Sequence, residues 1–402
     1  MQTLKLKPRE DRRLRQGHVW IYSNEVDVAA TPLKGFEPGE EAVLVSDADK
    51  PLGRVLVNPH ALICARLVSR DAAVGLDGAL LEARLAAALA LRERYYGASG
   101  CYRLVFGEGD GLSGMVVDRF GDVCSVQLST AGLEARRALV VDALRRVVAP
   151  RTIVFKHDAG MRDIERLEKY LEVIGEPLPE RVALEENGVP FAIPLAGGQK
   201  TGWFYDHREN RARLAPFAPG ARVLDAFAYL GGWGLQALAF GAAEVTAVDG
   251  SAPALAALEE NAARQGVAGR VATERGDAFE VLGALADGGE RFDVVVVDPP
   301  ALVKRRKDLK AGTRAYQRLG ALGLRLVRDG GLLVFASCSL HFDRGMLRDT
   351  VRGAARHVER QVQALGTFGA GPDHPIHPAI PESDYLKASF LRVLQPARGG
   401  AL

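Results

Sequence analysis

Three short apolar runs between residues 221 and 300 each end in a carboxylate, and this pattern constrains the chain more than any other feature. They are Val223-Leu-Asp225, Glu244-Val-Thr-Ala-Val-Asp249 and Asp293-Val-Val-Val-Val-Asp298, separated by segments long enough for helices. Continuous Val and Leu runs read as strands covered on both faces, as in a parallel α/β sheet. Open sheets of this kind bind ligands at the carboxyl ends of their strands, so the acids mark the candidate active site.

The turn after the first run narrows the ligand. Leu230-Gly-Gly-Trp-Gly234 leads into a helix beginning near Leu235. A dinucleotide site calls for Gly-x-Gly-x-x-Gly, whose helix N-terminus receives a pyrophosphate. That spacing is absent here, and Asp225 stands just ahead of the turn. A carboxylate there repels a pyrophosphate and favours the cationic amino-acid end of S-adenosylmethionine. Asp249, 18 residues beyond Gly231, is placed to accept both ribose hydroxyls. After a further strand over Arg270-Val-Ala-Thr-Glu, Asp277 is expected to bond the adenine amine and Phe279 to pack its face. Four acids, one per strand end, predict S-adenosylmethionine as the cofactor.

The rest of the 402 residues, 48% of them apolar, leaves room for two or three domains with their own cores. Residues 1–72 alternate short apolar runs with Pro, Gly and Asp turns, the spacing of a small β-barrel. There Arg12, Arg13 and Arg15 precede Gly-His-Val-Trp20, a mixture of cations and aromatics that can hold phosphates and stack on bases. Trp20 itself reads as a residue of the barrel core. Residues 73–180 read as an α+β module: a helix from Gly75 to about Tyr96, strand-like runs near residues 102, 114 and 123, a helix over Leu133–Val148 and a strand at Thr152. The polar stretch 168–198, with Pro177, Pro179, Pro190 and Pro194, reads as a strap into a last domain, 181–402. Lys200-Thr-Gly-Trp-Phe-Tyr-Asp-His-Arg-Glu-Asn-Arg211 is expected to close over the ligand.

The net charge of +2 hides two basic stretches. Residues 1–20 carry +4 and residues 301–325 carry +7, the latter including Lys304, Arg305, Arg306 and Lys307. Two local patches on a near-neutral chain suggest a polyanion contacted at defined places. Cys64, Cys101, Cys124 and Cys338 show neither Cys-x-x-Cys pairing nor His at zinc-finger spacing, so no metal is expected and a reducing compartment fits. With no signal-peptide core and no apolar run of membrane-spanning length, a cytoplasmic protein without membrane contact is expected.

Asp298-Pro-Pro and the Cys338 of Phe-Ala-Ser-Cys-Ser bear on the methyl acceptor. If their strands are neighbours, both side chains face one pocket. Carbon 5 of cytosine is a poor nucleophile until a thiolate adds to carbon 6 and moves electron density to carbon 5. Cys338 is the expected thiolate. Asp298 is expected to bond the N3 or exocyclic-amine edge, while the base that removes the carbon 5 proton is left open.

The chain resembles the RlmI-like family of 23S rRNA cytosine-C5 methyltransferases over nearly its whole length. The likeness rests on Arg12–Trp20, Gly107–Asp122, Lys200–Arg211, Asp298-Pro-Pro, Ser337-Cys-Ser339 and His374-Pro-Ile-His-Pro378 onward to Tyr385-Leu-Lys. It implies an N-terminal PUA domain, a central α+β domain and a Rossmann-type class I methyltransferase domain, acting on 23S rRNA as a homodimer. By the same likeness Cys338 is the nucleophile with Asp298 beside it. The cofactor pocket is expected to be lined by Asp225, Phe227, Tyr229, Gly231, Asp249, Ser251, Asp277, Ala278, Asp298 and Arg208. No cysteine accompanies Asp-Pro-Pro, a departure from the two-cysteine pattern of other RNA methyltransferases, so product release must be arranged differently. Two rivals stand beside this reading: an amino-directed methyltransferase that uses Asp298-Pro-Pro for direct attack by an exocyclic nitrogen, and a non-catalytic RNA-binding assembly factor. A nicotinamide oxidoreductase lacks its phosphate fingerprint.

Overall fold

The computed structural model describes residues 1–97, 100–158, 160–197 and 201–394, which places Lys200 outside the described residues. They divide into two compact units. The first comprises Met1–Leu184, Pro194–Tyr205 and Pro372–Ser383; the second comprises Glu185–Ile193, Asp206–Gly371 and the chain from Asp384 onward.

The first unit holds two five-stranded sheets. β1 (Gln2–Lys5), β2 (Trp20–Tyr22), β3 (Glu40–Val45), β4 (Pro51–Val57) and β5 (Ile63–Ser69) run in the order β1-β3-β4-β5-β2, with α1 (Arg12–Arg15) between the first two. A bridge between Leu6 and Val26 brings the two edges together, so the sheet curls around Leu4, Leu6, Ile21, Leu44, Val55 and Val57 as a barrel. Trp20 is a correction to the sequence reading. It is half-buried, and its indole N–H donates to Glu108 at 2.8 Å, while Ile21 fills the core. An indole in a small barrel core would strand its donor, whereas here the carboxylate satisfies it.

The other sheet contains β6 (Cys101–Phe106), β7 (Met115–Phe120), β8 (Val123–Leu128), β9 (Thr152–His157) and β10 (Tyr170–Gly175) in the order β10-β9-β8-β7-β6. α2 (Gly78–Tyr96) starts where the Asp77 side chain accepts from the Leu80 amide, and packs Leu81 and Leu85 inward with Val140 and Leu144. The single helix expected over Leu133–Val148 is two, α3 (Ala131–Glu134) and α4 (Arg137–Val147). The break falls at Arg136, whose backbone leaves the helical region (φ −112°, ψ 20°) and whose guanidinium reaches Gly39 O, Gly132 O and Glu41. α5 (Met161–Glu165) brings buried Glu165 to Arg66, Asn58 and the Ala131 amide.

The stretch 168–198 is more ordered than a strap. It contributes β10 and the ribbon β11 (Val182–Glu186) with β12 (Val189–Ile193). Residues 170–175 alternate half-buried and exposed, as an edge strand does, and that polarity concealed them. Pro190 sits in a two-stranded ribbon, where the missing N–H is tolerated.

The second unit is a seven-stranded sheet in the order β15-β14-β13-β16-β17-β19-β18. After α6 (Arg208–Ala212) its elements are β13 (Arg222–Ala226), α7 (Gly234–Ala239), β14 (Glu244–Asp249), α8 (Ala252–Arg264), β15 (Val271–Arg275), α9 (Ala278–Asp287), β16 (Phe292–Val297), α10 (Leu309–Leu326), β17 (Val327–Ser337), α11 (Arg344–His357), β18 (Gln361–Phe368) and β19 (Lys387–Leu394). β13 to β17 pair in parallel and β19 antiparallel to both β17 and β18. Val294 to Val297 are almost wholly buried. At roughly 1.5–3 kcal/mol for each large aliphatic side chain removed from water, this run fixes β16 at the centre of the sheet. The chain reverses its winding between β13 and β16, so the crevice opens at the carboxyl ends of those two strands.

Candidate functional site

Asp225, in β13, is fully buried. One carboxylate oxygen, Oδ2, accepts from the Gly234 amide at 2.9 Å; the other, Oδ1, is buried with no hydrogen-bond partner. Burial, only partly offset by the Gly234 amide, pushes its pKa up to about 7. Gly234 leaves little room for a side chain, because a Cβ there would stand 2.7 Å from Val245 Cγ1 and 3.2 Å from Asp225 Oδ2. The turn before it is strained: Phe227 and Tyr229 hold positive φ values of 65° and 49°, and Gly231 follows at 83°. Asp249 steadies the turn by accepting from the Tyr229 amide at 2.9 Å through Oδ2 and from the Ser251 amide at 2.8 Å through Oδ1. Each of these oxygens keeps a further lone pair.

Ser251 caps α8, its hydroxyl accepting from the Ala254 amide at 3.3 Å. Asp277 likewise caps α9: Oδ1 accepts from the amides of Phe279 and Glu280, and Ala278 begins the helix in a buried position. Asp277, expected to bond the adenine amine, thus spends one oxygen on a helix cap. Arg208 is buried on α6 with its Nε 3.7 Å from Glu186, which also pairs with Arg211 at 2.6 Å.

Asp298 follows β16 directly, and Cys338 follows β17 directly, on neighbouring parallel strands with Val297 opposite Phe335. Cys338 is partly exposed, unlike Cys64, Cys101 and Cys124, and none of the four is disulfide-bonded. Asp298 accepts from Trp233 Nε1 at 3.1 Å, and its Oδ1 lies 3.2 Å from His207 Nε2. Burial would raise the Asp298 carboxyl, but the His207 charge and hydrogen bond, joined by Trp233, hold it below the usual range. His207 responds in the opposite sense: burial lowers it, and the Asp298 carboxylate outweighs that and raises it.

Sequence reasoning placed His207 in the stretch expected to close over the ligand and Trp233 in the glycine turn, but gave neither side chain a role. It also missed the clamp formed by Tyr316 of α10. The Tyr316 hydroxyl meets Ser337 Oγ and Ser339 Oγ at 2.8 Å each, and Ser339 Oγ accepts from the Val303 amide at 3.0 Å. The Ser-Cys-Ser segment and the loop after Asp298-Pro-Pro are therefore fastened to one side chain. Lys387, opposite Ser337 on β19, is buried and donates to Ser339 O at 2.7 Å.

Of the basic residues, Lys304, Arg305, Arg306 and Lys307 are all exposed on the loop between Asp298-Pro-Pro and α10. Arg13 is committed within the barrel to Glu25 at 2.5 Å, and Arg15 pairs with Asp11 at 2.6 Å; Arg12 is exposed. No helix among the described residues is long and apolar enough to cross a membrane.

Residues 4–70 match the PUA-like domain family, and residues 148–370 match the S-adenosylmethionine-dependent methyltransferase family. The cofactor is accordingly S-adenosylmethionine, and the orphaned oxygen of Asp225 fits a cationic ligand group. Proteins named ribosomal RNA large subunit methyltransferase I are similar along nearly the whole chain. The one from Photobacterium profundum is 34% identical over 94% of this chain and 96% of its own, and that from Klebsiella pneumoniae strain 342 is 34% identical over 96% and 97%. A ribosomal RNA large subunit methyltransferase from Deinococcus radiodurans is 36% identical over 97% of each chain. Among solved structures, a Streptococcus mutans protein assigned as a SAM-dependent methyltransferase has a TM-score of 0.81 at 20% identity, covering 98% of this chain and 100% of that one. That likeness speaks to fold alone. From the two domain matches and the full-length relatives, the chain belongs to the ribosomal RNA large subunit methyltransferase I family of S-adenosylmethionine-dependent methyltransferases.

Proposed function

We propose that this protein methylates carbon 5 of a cytosine in 23S ribosomal RNA, with Cys338 as the covalent nucleophile. The observation that carries the reading is the pairing of Asp298 and Cys338 at the ends of adjacent parallel strands, beside the crevice holding Asp225 and Asp249. The relatives' name supplies the RNA, and the partly exposed thiol of Cys338 supplies the chemistry.

In this reading the Cys338 thiolate bonds to carbon 6, and the electron pair of the ring double bond moves to carbon 5. When bound, S-adenosylmethionine would supply the electrophilic methyl group that carbon 5 takes, its S–CH3 bond breaking to leave the neutral thioether S-adenosylhomocysteine. A base then removes the carbon 5 proton, the double bond reforms, and sulfur leaves as thiolate. Asp298, kept ionised, has only lone pairs to offer. It therefore accepts from the exocyclic amine of cytosine, not from N3, which is itself an acceptor. His207 and Trp233 fix the carboxylate in orientation for that interaction.

Cofactor recognition falls to Asp225 for the amino group, Asp249 and Ser251 for the ribose, and Asp277 with Ala278 for the adenine. Phe227, Tyr229, Gly231 and Arg208 complete the pocket. Extrusion of the target base costs about a few kcal/mol, which phosphate contacts from Lys304, Arg305, Arg306 and Lys307 and from Arg12 and Arg15 of the barrel offset, with Arg13 spent on Glu25. The reading keeps the division 1–72, 73–180 and 181–402, a reducing cytoplasmic setting and a homodimer, the last checked by sedimentation.

Mass analysis of nucleosides from rRNA methylated by the purified protein tests the proposal. 5-Methylcytidine is expected, and its loss in Cys338→Ala with S-adenosylmethionine binding retained. N4-methylcytidine would point to direct attack by the exocyclic nitrogen, and an absence of product to an assembly role.

A further inference from the structure

Lys387 is an anomaly in the second unit. Its side chain is only 3% exposed, on a strand between two neighbours, and its ammonium donates to a backbone carbonyl, Ser339 O, at 2.7 Å. A neutral carbonyl does not balance a buried positive charge, and such charges are retained where an opposite charge is at hand. The antiparallel register sets Lys387 directly opposite Ser337, and its ammonium reaches past to Ser339. The residue between those two serines is Cys338.

The charged and titratable groups around the ammonium are few. Asp384, just before β19, is exposed and paired with Arg344 at 3.4 Å. Asp343 at the start of α11 is exposed and spends Oδ1 on the Met346 amide as a helix cap. Tyr316 of α10 is buried and held by two serines, and burial raises its phenol, so it stays neutral. Burial pulls Lys387 down to about 8, and the strongest influence in the other direction is Cys338, ahead of Asp384. The thiol is the acid best placed to match the amine.

We infer that Lys387 is a positioning residue for Cys338: its ammonium, anchored on Ser339 O, holds the neighbouring sulfur as thiolate before RNA arrives. The inference rests on the reading of Cys338 as nucleophile. The proton balance is closed within the pair, since Sγ–H and a neutral Nζ give S⁻ and NH3⁺ with no net uptake or release. When the carbon 5 proton is taken and the S–C6 bond breaks, the bond pair returns to sulfur beside the same ammonium. Stabilising the departing thiolate in this way provides for release without a second cysteine next to Asp298-Pro-Pro.

The test is the pH dependence of Cys338 alkylation by iodoacetamide in the full chain, read by mass spectrometry of the peptide containing it. Wild type, Lys387→Met and Lys387→Arg are compared. A lone thiol titrates near about 8.5. Wild type is expected to have a midpoint at least about one pH unit below that of Lys387→Met, which corresponds to alkylation about ten-fold slower in the variant at neutral pH. Lys387→Arg, which keeps the charge, is expected to restore the low midpoint; a merely structural lysine would not impose that order. Equal midpoints in wild type and Lys387→Met overturn the inference. Should Lys387→Met not fold, ultraviolet thiolate absorbance of wild type minus Cys338→Ser decides: thiolate at neutral pH supports the pair, and its appearance only above about pH 8.5 overturns it. Methylation by Cys338→Ala would remove the nucleophile reading alone, and the alkylation midpoints would still decide on the ion pair.

Discussion

His207 Nε2 lies 3.2 Å from Asp298 Oδ1, and Trp233 Nε1 lies 3.1 Å from Asp298 Oδ2, so both oxygens of this strand-end carboxylate are held by aromatic donors. The pair shifts both groups toward their charged forms. The raised His207 contributes stability fully present below its ordinary 6.5 and lost as pH rises through its folded value. Asp298 contributes stability present above its ordinary 3.8 and lost as pH falls through its lowered folded value. In Asp298→Asn the His207 imidazole is expected to titrate lower than in wild type, with burial then opposed by the Asp206 charge alone, and methyl transfer to fall about 100-fold or more. Imidazole NMR reads the first and product formation the second. An unmoved His207 titration would contradict the pairing.

Asp225 carries the reverse linkage. Its folded pKa, about 7, exceeds its ordinary 3.8, so the folded chain binds the extra proton between those values and loses stability as pH rises through them. Asp225→Asn is expected to unfold at a higher temperature than wild type at pH above about 7 in the absence of cofactor, and to bind S-adenosylmethionine poorly. In wild type the cationic ligand selects the ionised carboxylate. Its affinity should therefore fall roughly ten-fold per pH unit below about 7, with proton release visible by calorimetry. Affinity flat from pH 5 to 8 would contradict this role.

Gly234→Ala would push a methyl group against Val245 and Asp225 at the mouth of the crevice. Overpacking of this kind costs about 1–3 kcal/mol, so denaturant melts should show a lower midpoint, and S-adenosylmethionine affinity should drop with it. A variant as stable as wild type would mean that the turn yields more easily than its close neighbours suggest.

Replacing Lys304, Arg305, Arg306 and Lys307 by alanine is expected to weaken RNA binding and flatten its salt dependence. Every phosphate that the loop no longer neutralises lowers the logarithmic slope by about 0.7–0.9. An unchanged slope would place the loop away from RNA.

Much of the second unit was legible because β13, β14 and β16 are buried on both faces and so read as unbroken apolar runs, and an acid at the end of such a run lands in the crevice by geometry. What escaped was set by partners distant in sequence. His207 and Trp233 acquire their meaning from Asp298, 65 or more residues away. Tyr316 looks like any aromatic on an amphipathic helix until β17 brings Ser337 and Ser339 to its hydroxyl. Lys387 is buried only because β19 inserts between β17 and β18, a pairing that no local pattern announces. In the first unit, the edge strand β10 and the break before α4 were hidden for a similar reason: half-exposed alternation resembles a polar linker, and the helix breaks at Arg136, whose side-chain partners lie near residue 40.

The covalent step is tested most directly by RNA carrying 5-fluorocytidine at the target position. Fluorine at carbon 5 leaves no proton for the base to remove, so the adduct persists after methyl transfer. Wild type with S-adenosylmethionine is expected to form a protein–RNA species that survives denaturing electrophoresis and maps to the peptide containing Cys338, and Cys338→Ala to form none. An adduct that persists in Cys338→Ala, or wild-type 5-methylcytidine formation with no adduct at all, would contradict the account.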